Sequence, residues 1–201
     1  RMPSIARWPN HIPAGNVVET PSIFYDWMPT FTNMAGLPAP AVSDGVSLLP
    51  SLLKKGKQLE SQIYVEYFES GTTPEFEDFA IDHRGRRRNQ MQMVRLGDFV
   101  GVRYDIKSQN NNFEIYDVVK DPQQTKNLAG TSTMISLQQK MKDKALQSRI
   151  PNATAPRPYD NVPVPAVNGI ATEKGVQWKG YEGEFPWVPE VTTLTPTEIG
   201  M

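Results

Sequence analysis

Five basic side chains fall within six positions, at His83, Arg84, Arg86, Arg87 and Arg88. A guanidinium fork matches the paired oxygens of sulfate, phosphate or carboxylate. The cluster therefore reads as an anion-recognition site, with His83, Arg84 and Arg86 as its candidate ligand-binding residues. A second reading stands beside it. Glu75, Glu77, Asp78 and Asp82 immediately precede the cluster, and the two charge sets could pair on a solvated loop, where ion pairs are weak. Other candidates are slighter. His11 follows Asn10 in a Trp-Pro-Asn-His-Ile-Pro turn and reads as a turn residue. Trp178, Tyr181 and Trp187 read as anchors of a tail or as a stacking platform. Asp98, Asn110, Asp117 and Asp121 sit at turn positions that Asn and Asp favour for backbone bonding. No EF-hand spacing accompanies them, so no metal is expected there.

The rest of the composition excludes more than it suggests. The chain has no cysteine and only two histidines, His11 and His83. Disulfides, thiolate metal sites and a cysteine nucleophile are therefore absent from it. A formal net charge of −1 argues against general nucleic-acid affinity. No run approaches the ~20 apolar residues of a membrane helix. With 201 residues the length suits one domain, or a domain plus a tail. The 18 prolines favour loops and extended connections over long helices. The chain opens on Arg1-Met2-Pro3, shows no charged-then-apolar leader, and stops at Met201 with no capping element. It is expected to be part of a longer protein.

The elements that would position the basic cluster follow from spacing. Trp27, Met28, Phe31, Met34 and Ala35 predict a short amphipathic helix. Asp26 is its expected N-cap, Pro29 lies in its first turn, Gly36 is its left-handed C′ residue, and Pro38 stops it. Residues 43–53 predict a turn and a short apolar helix, with Lys54, Lys55 and Lys57 as a solvated exit. Residues 62–68 read as a strand, and 70–88 as a long polar insertion. Residues 91–96, 99–104 and 113–118 predict an antiparallel meander, turned at Gly97-Asp98 and at 108–112. Met134, Leu137, Met141, Ala145 and Leu146 predict a helix over that sheet, capped by Ser132 or Thr133. The division expected is 1–60, 61–150, a Pro-rich linker or surface wrap at 151–174, and a tail or appended β-module at 175–201.

Several segments, in order, carry a family resemblance. Arg1-Met2-Pro3-Ser4-Ile5-Ala6-Arg7-Trp8-Pro9 is similar to Arg-Val-Pro-x-Ile-x-x-Trp-Pro. Asp26-Trp27-Met28-Pro29-Thr30 with Ala35-Gly36 resembles Asp-x-x-Pro-Thr-x-x-x-x-Ala-Gly. Asp44-Gly45-Val46-Ser47-Leu48-Leu49-Pro50 matches Asp-Gly-x-Ser-Leu-x-Pro. Val94-Arg95-Leu96-Gly97 resembles the paired strands around Val-Arg-x-Gly. Glu114-Ile115-Tyr116-Asp117, Asp121-Pro122 and Asn127-Leu128-Ala129 resemble Glu-Leu-Tyr-Asp, Asp-Pro and Asn-Leu-Ala. Together these resemble the C-terminal part of a type I sulfatase of the alkaline-phosphatase-like superfamily, of bacterial polysaccharide or arylsulfatase type. Glu66 also lies in a strand similar to that family's. Residues 175–201 resemble the opening strand of β-modules of the anthrax-protective-antigen type.

The resemblance implies an α/β to α+β fold: the end of a large α/β domain at 1–60, then a small antiparallel sheet packed by one helix at 61–150. It implies hydrolysis of sulfate esters, with sulfated carbohydrate as the ligand of His83, Arg84 and Arg86. The family's nucleophile is a formylglycine made from a Cys/Ser-x-Pro-x-Arg motif, working beside calcium. Neither that motif nor the calcium carboxylates occur here. No catalytic residue is carried over, and the segment alone is expected to be inactive. The partner implied is the missing N-terminal sulfatase domain, and the implied location is the periplasm or the cell exterior. Two alternatives stay open: a non-catalytic glycan-binding or scaffold module, and part of a related phosphodiesterase or phosphonate hydrolase.

Overall fold

A computed structural model describes residues 3–166, 178–184 and 194–200. It divides into two units, Arg1–Pro165 and Ala166–Met201. The first is built around four antiparallel strands in sequential order. These are β1 (Tyr64–Thr72), β2 (Arg87–Leu96), β3 (Phe99–Arg103) and β4 (Glu114–Asp117). The β2–β3 turn is Gly97-Asp98, joining the pair Leu96 and Phe99. Positive φ is confined there to Gly97, at 56°, as a type II′ turn requires. In the loop before β4, the Asn111 side chain accepts from the backbone N–H groups of Lys107 and Ser108.

The small antiparallel sheet expected from the sequence is thus the scaffold, but its first hairpin is longer than the pattern implied. β1 continues to Thr72, past a bulge between Glu69 and Thr72, and β2 begins at Arg87. Arg87 and Arg88 therefore belong to a strand and not to the loop. The cross-strand ion pair of Arg88 with Glu69, at 2.8 Å, holds the extension.

Helix α3, defined below by its packing, spans Ile135–Ser148. Its Met141 and Ala145 form one buried cluster with Val94, Phe113 and Ile115. Gly101 lets the helix come this close: a Cβ there would lie 2.5 Å from Met141 Sδ. Gln138 completes the junction. Its side-chain amide both accepts from Phe113 N–H and donates to Phe113 O, each at 2.8 Å, as a neighbouring strand would. The expected cap is not used. A 3-10 turn at Ser132–Met134 leads into the helix with no side-chain cap bond from either end. Thr131 is committed instead to Leu128 O and to Thr133.

Upstream, α1 (Trp27–Met34) and α2 (Leu49–Leu53) are the two short helices expected. Gly36 (φ 75°) ends α1. Its N–H donates to Asn33 O and that of Leu37 to Thr32 O, a Schellman closure. Asp26 differs from its expected role. It precedes α1 without capping it, and serves instead the 3-10 turn Phe24–Asp26, whose N-cap N–H, that of Ile23, it accepts. Its fully buried carboxylate accepts from Ile23 N–H, Val46 N–H and Ser61 Oγ. Thr30 Oγ1 donates to Asp26 O and accepts from Leu48 N–H. Gly45 touches the same knot, since a Cβ would sit 2.2 Å from Tyr25 O. The Asp-x-x-Pro-Thr and Asp-Gly-x-Ser-Leu motifs are therefore two halves of one packing unit. Around it, Ile5, Phe24, Met28, Phe31 and Leu59 remain exposed.

Residues 151–165 lie within the first unit. Tyr159 is fully buried and clusters with Ile106, Leu146 and Val162. In the second unit, β5 (Trp178–Gly180) pairs antiparallel with β6 (Glu198–Gly200). Phe185 and Trp187 lie outside the described residues.

Candidate functional site

The basic cluster sits at the tip and base of the β1–β2 hairpin. Thr73 N–H donates to Arg86 O at 2.8 Å, and Gly85 N–H to Thr73 O at 3.0 Å, closing the loop's neck. A 3-10 turn at Ile81–His83 forms its far wall. Arg84 folds back into the loop, where Nε donates to Phe79 O and a terminal nitrogen to Glu77 O. Arg86 forks onto Glu114, at 2.9 and 3.1 Å, donates to Asp82 O, and lies 4.8 Å from the Tyr104 ring centroid. His83 is half-buried, and among the described residues its ring has no hydrogen-bond or ion-pair partner. The structure thus brings His83, Arg84 and Arg86 together on one hairpin, with the two arginines bracing it.

The acidic run is not what neutralises these arginines. Among the described residues, Glu75, Glu77, Asp78 and Asp82 form no ion pair, because the guanidinium partners are backbone carbonyls and the more distant Glu114 and Glu69. The self-paired loop offered as the second sequence reading is therefore corrected. Backbone carbonyls within reach of a short loop compete well for a guanidinium, which can satisfy several at once.

A second polar constellation lies on the α3 side of the sheet. Glu66 Oε1 accepts from Gln90 and Gln92 Nε2 and from the Tyr159 hydroxyl. Arg157 Nε lies 2.8 Å from the same oxygen. Glu66 Oε2 accepts from Tyr64. Gln92 also donates to Tyr64 and Tyr159, while its carbonyl takes two bonds from the buried Arg103. Arg103 is held further by the carbonyls of Gln109 and Asn111. The network joins β1, β2, β3 and the 157–160 segment. Sequence reasoning missed it, although Gln90 and Gln92 stand in line with the apolar Val94 and Leu96 on one face of β2, and that alternation was the available signal.

Burial, and then the adjoining Glu66 carboxylate, push the Tyr64 and Tyr159 phenols well above the ordinary 10.0. Both hydroxyls are donors to Glu66, a role the phenolate cannot fill. A raised acid pKa in the folded state means stability that is complete below pH 10 and lost as pH rises above it. Alkaline unfolding is therefore expected to begin above pH 10. Tyr159→Phe should flatten that limb of a stability-versus-pH curve while lowering the neutral plateau. An alkaline limb identical in the variant would remove Tyr159 from this role.

The remaining candidates make turns. Asp117 accepts from the N–H groups of Val119 and Lys120, which holds its carboxyl below the usual range. Asp121 accepts from the Thr125 hydroxyl and from Lys126 N–H. Asn127 Oδ1 accepts from Ile115 and Ala129. His11 stacks on Trp8 at 3.9 Å and bonds to Pro9 O. Among the described residues no three His, Asp or Glu side chains converge as a metal site, and no helix is long and apolar enough to cross a membrane.

Comparison with known proteins agrees with the geometry of the sheet and its helix. Residues 1–150 match the family described as N-sulphoglucosamine sulphohydrolase, C-terminal. The chain is 29% identical over 146 residues to an N-acetylglucosamine-6-O-sulfatase of Bacteroides thetaiotaomicron, covering 70% of this chain and 23% of that protein. It is 39% identical over 74 residues to the N-acetylgalactosamine-6-sulfatase of Mus musculus, covering 36% of this chain and 14% of that one. A protein solved in complex with its substrate D-glucosamine-2-N,6-O-disulfate superposes with a TM-score of 0.51 at 25% identity, over 70% of this chain and 26% of that one. The chain therefore spans about a quarter or less of the length of these relatives.

Proposed function

The chain belongs to the N-sulphoglucosamine sulphohydrolase C-terminal family, and from that premise we propose that it is the substrate-side portion of a sulfatase that hydrolyses sulfate esters of carbohydrates. The observation that carries the reading is the family match across residues 1–150, joined to likeness with sulfatases named for amino-sugar substrates. The reaction's nucleophile and metal belong elsewhere. The chain has no cysteine and no Ser-x-Pro-x-Arg sequence, and the described residues do not fit a calcium site. No step is therefore assigned to formylglycine or calcium within this segment. Both are proposed for an N-terminal domain of the same protein, which would work in the periplasm or outside the cell.

In this reading the braced hairpin presents His83 to the sulfated sugar, while Arg84 and Arg86 keep the loop in shape and add positive potential. Sulfatase turnover with calcium should be measured on the full-length protein and on the 201-residue chain side by side. Turnover by the full-length protein alone is expected. Turnover by this chain alone would overturn the assignment, and phosphonate-ester hydrolysis by the full-length protein without sulfatase activity would favour the related hydrolases. In the full-length protein, His83→Ala should raise KM for a sulfated sugar about tenfold, the loss of one hydrogen bond to a charged group, with kcat nearly unchanged. An unchanged KM would remove His83 from the site.

The exposed apolar residues of 1–60 support a covering domain. The isolated chain is expected to bind a hydrophobic dye that the full-length protein does not. Equal dye binding by both would count against that cover.

A further inference from the structure

Glu114 is the first residue of β4 and lies 28 positions along the chain from Arg86, outside the hairpin that carries the basic cluster. A carboxylate this close to the cluster would repel an anionic ligand unless its charge were taken up. Both of its oxygens are engaged. Arg86 forks onto them at 2.9 and 3.1 Å, and the Tyr116 hydroxyl donates to Oε2 at 2.9 Å. Tyr116 stands two residues further along β4, hence on the same face of the sheet, and is buried. Burial and then the bond to Glu114 raise its phenol above the ordinary 10.0, so the hydroxyl stays a donor at neutral pH. Glu114 itself pairs with Val102 of β3. The carboxylate is thus fixed by the sheet.

Arg86 carries that constraint to His83. Its backbone N–H donates to His83 O at 3.4 Å, and its guanidinium donates to Asp82 O at 3.0 Å. These two carbonyls belong to the peptide groups on either side of the His83 Cα. The His83 N–H, in the first of those groups, donates to Ala80 O at 2.8 Å. Peptide groups are planar, so holding both of them restrains φ and ψ at His83, and with them the direction of its Cα–Cβ bond. The imidazole has no hydrogen-bond partner among the described residues, so its aim comes from its backbone.

We propose that Glu114 is a positioning residue for the sugar site. It holds Arg86 against the sheet and so aims His83, a role that rests on the reading that His83 meets the sulfated sugar. Without the carboxylate, the guanidinium keeps its bond to Asp82 O but regains the freedom of a long side chain, and the Ile81–His83 turn loosens. The sugar must then order the loop as it binds. That weakens binding and leaves the reacting bond untouched.

Steady-state kinetics of the full-length protein on a sulfated sugar test this with four variants: His83→Ala, Glu114→Ala, Glu114→Gln, and His83→Ala combined with Glu114→Ala. Glu114→Ala should raise KM about fivefold, the scale of ordering one rotamer-rich side chain, with kcat nearly unchanged. Glu114→Gln should recover most of that loss. Its amide oxygen still accepts from the guanidinium, and its nitrogen can donate to the Tyr116 hydroxyl. The double variant should match His83→Ala alone, because Glu114 acts only through His83. An unchanged KM in Glu114→Ala beside a raised one in His83→Ala would overturn the proposal and leave the sugar-binding reading standing. So would losses that add in the double variant, or a loss that Glu114→Gln does not relieve. A KM that falls in Glu114→Ala would also overturn it, since a freed Arg86 would then be the group that binds the sugar. An unchanged KM in His83→Ala would overturn the sugar-binding reading and the positioning role with it.

Discussion

Replacing Asp26 with alanine is expected to cost the fold about 4 kcal/mol, the largest loss from any single polar side chain upstream of the sheet. The carboxylate is fully buried and is the acceptor for Ile23 N–H, Val46 N–H and Ser61 Oγ. Removing it strands three donors, and a buried unsatisfied donor costs about 1–3 kcal/mol. The three donors lie on separate stretches of chain: one before α1, one before α2, one just before β1. The substitution therefore loosens the whole 23–61 region. Asp26→Asn is the informative companion. It preserves size but turns one acceptor into a donor facing donors. Chemical denaturation should show both variants with a lower midpoint, alanine and asparagine within about 1 kcal/mol of each other. Ser61→Ala, which frees only one of the three bonds, should cost about 1 kcal/mol. A loss below 1 kcal/mol for Asp26→Ala would mean that water satisfies the stranded donors, and the knot would not be a keystone.

The second large effect is expected at Glu66. Its side chain receives Gln90, Gln92, Tyr64 and Tyr159 and pairs with Arg157. Breaking a buried ion pair from one side costs about 3–5 kcal/mol; here Arg157 keeps some access to water, so the loss, with that of the four hydrogen bonds, is about 2–4 kcal/mol. Glu66→Ala should lie in that range. It should also free the 151–165 segment, since two of that segment's contacts with the sheet, Arg157 and Tyr159, end on this carboxylate. Residues 151–156 are exposed, so limited proteolysis there should accelerate in the variant. Tyr159→Phe keeps the ring among Ile106, Leu146 and Val162 and loses only the hydroxyl, so about 1–2 kcal/mol is expected. Protection of residues 151–156 that survives Glu66→Ala would show that apolar packing of Tyr159, and not the polar network, fastens the segment.

The two sites also measure how far local pattern reaches. Period-two and helical spacing marked the strands and α3, because half-buried elements must alternate or cycle their apolar residues. Turn chemistry marked Gly97-Asp98 and Gly36, where backbone geometry is decided by one or two residues. The same local logic misassigned Asp26. An Asp ahead of a helix reads as a cap, yet its oxygens serve partners up to 35 residues away. It also stopped β1 too early, since the Arg88–Glu69 pair that extends the hairpin is a cross-strand contact.

The candidate site divides in the same way. The sequence by itself determined where the basic side chains cluster, that no cysteine nucleophile is present, and that ordered motifs of a sulfatase C-terminal segment run through the first 130 residues. Those are properties of residue type and order. Only the tertiary structure decided which charges are already spent. Arg84 is taken up by carbonyls of its own loop and Arg86 by Glu114 across the sheet, which leaves His83 and the acids of the tip unpaired. A charged side chain is available to a ligand only after nearer partners have been satisfied, and those partners are set by three-dimensional distance rather than by position along the chain.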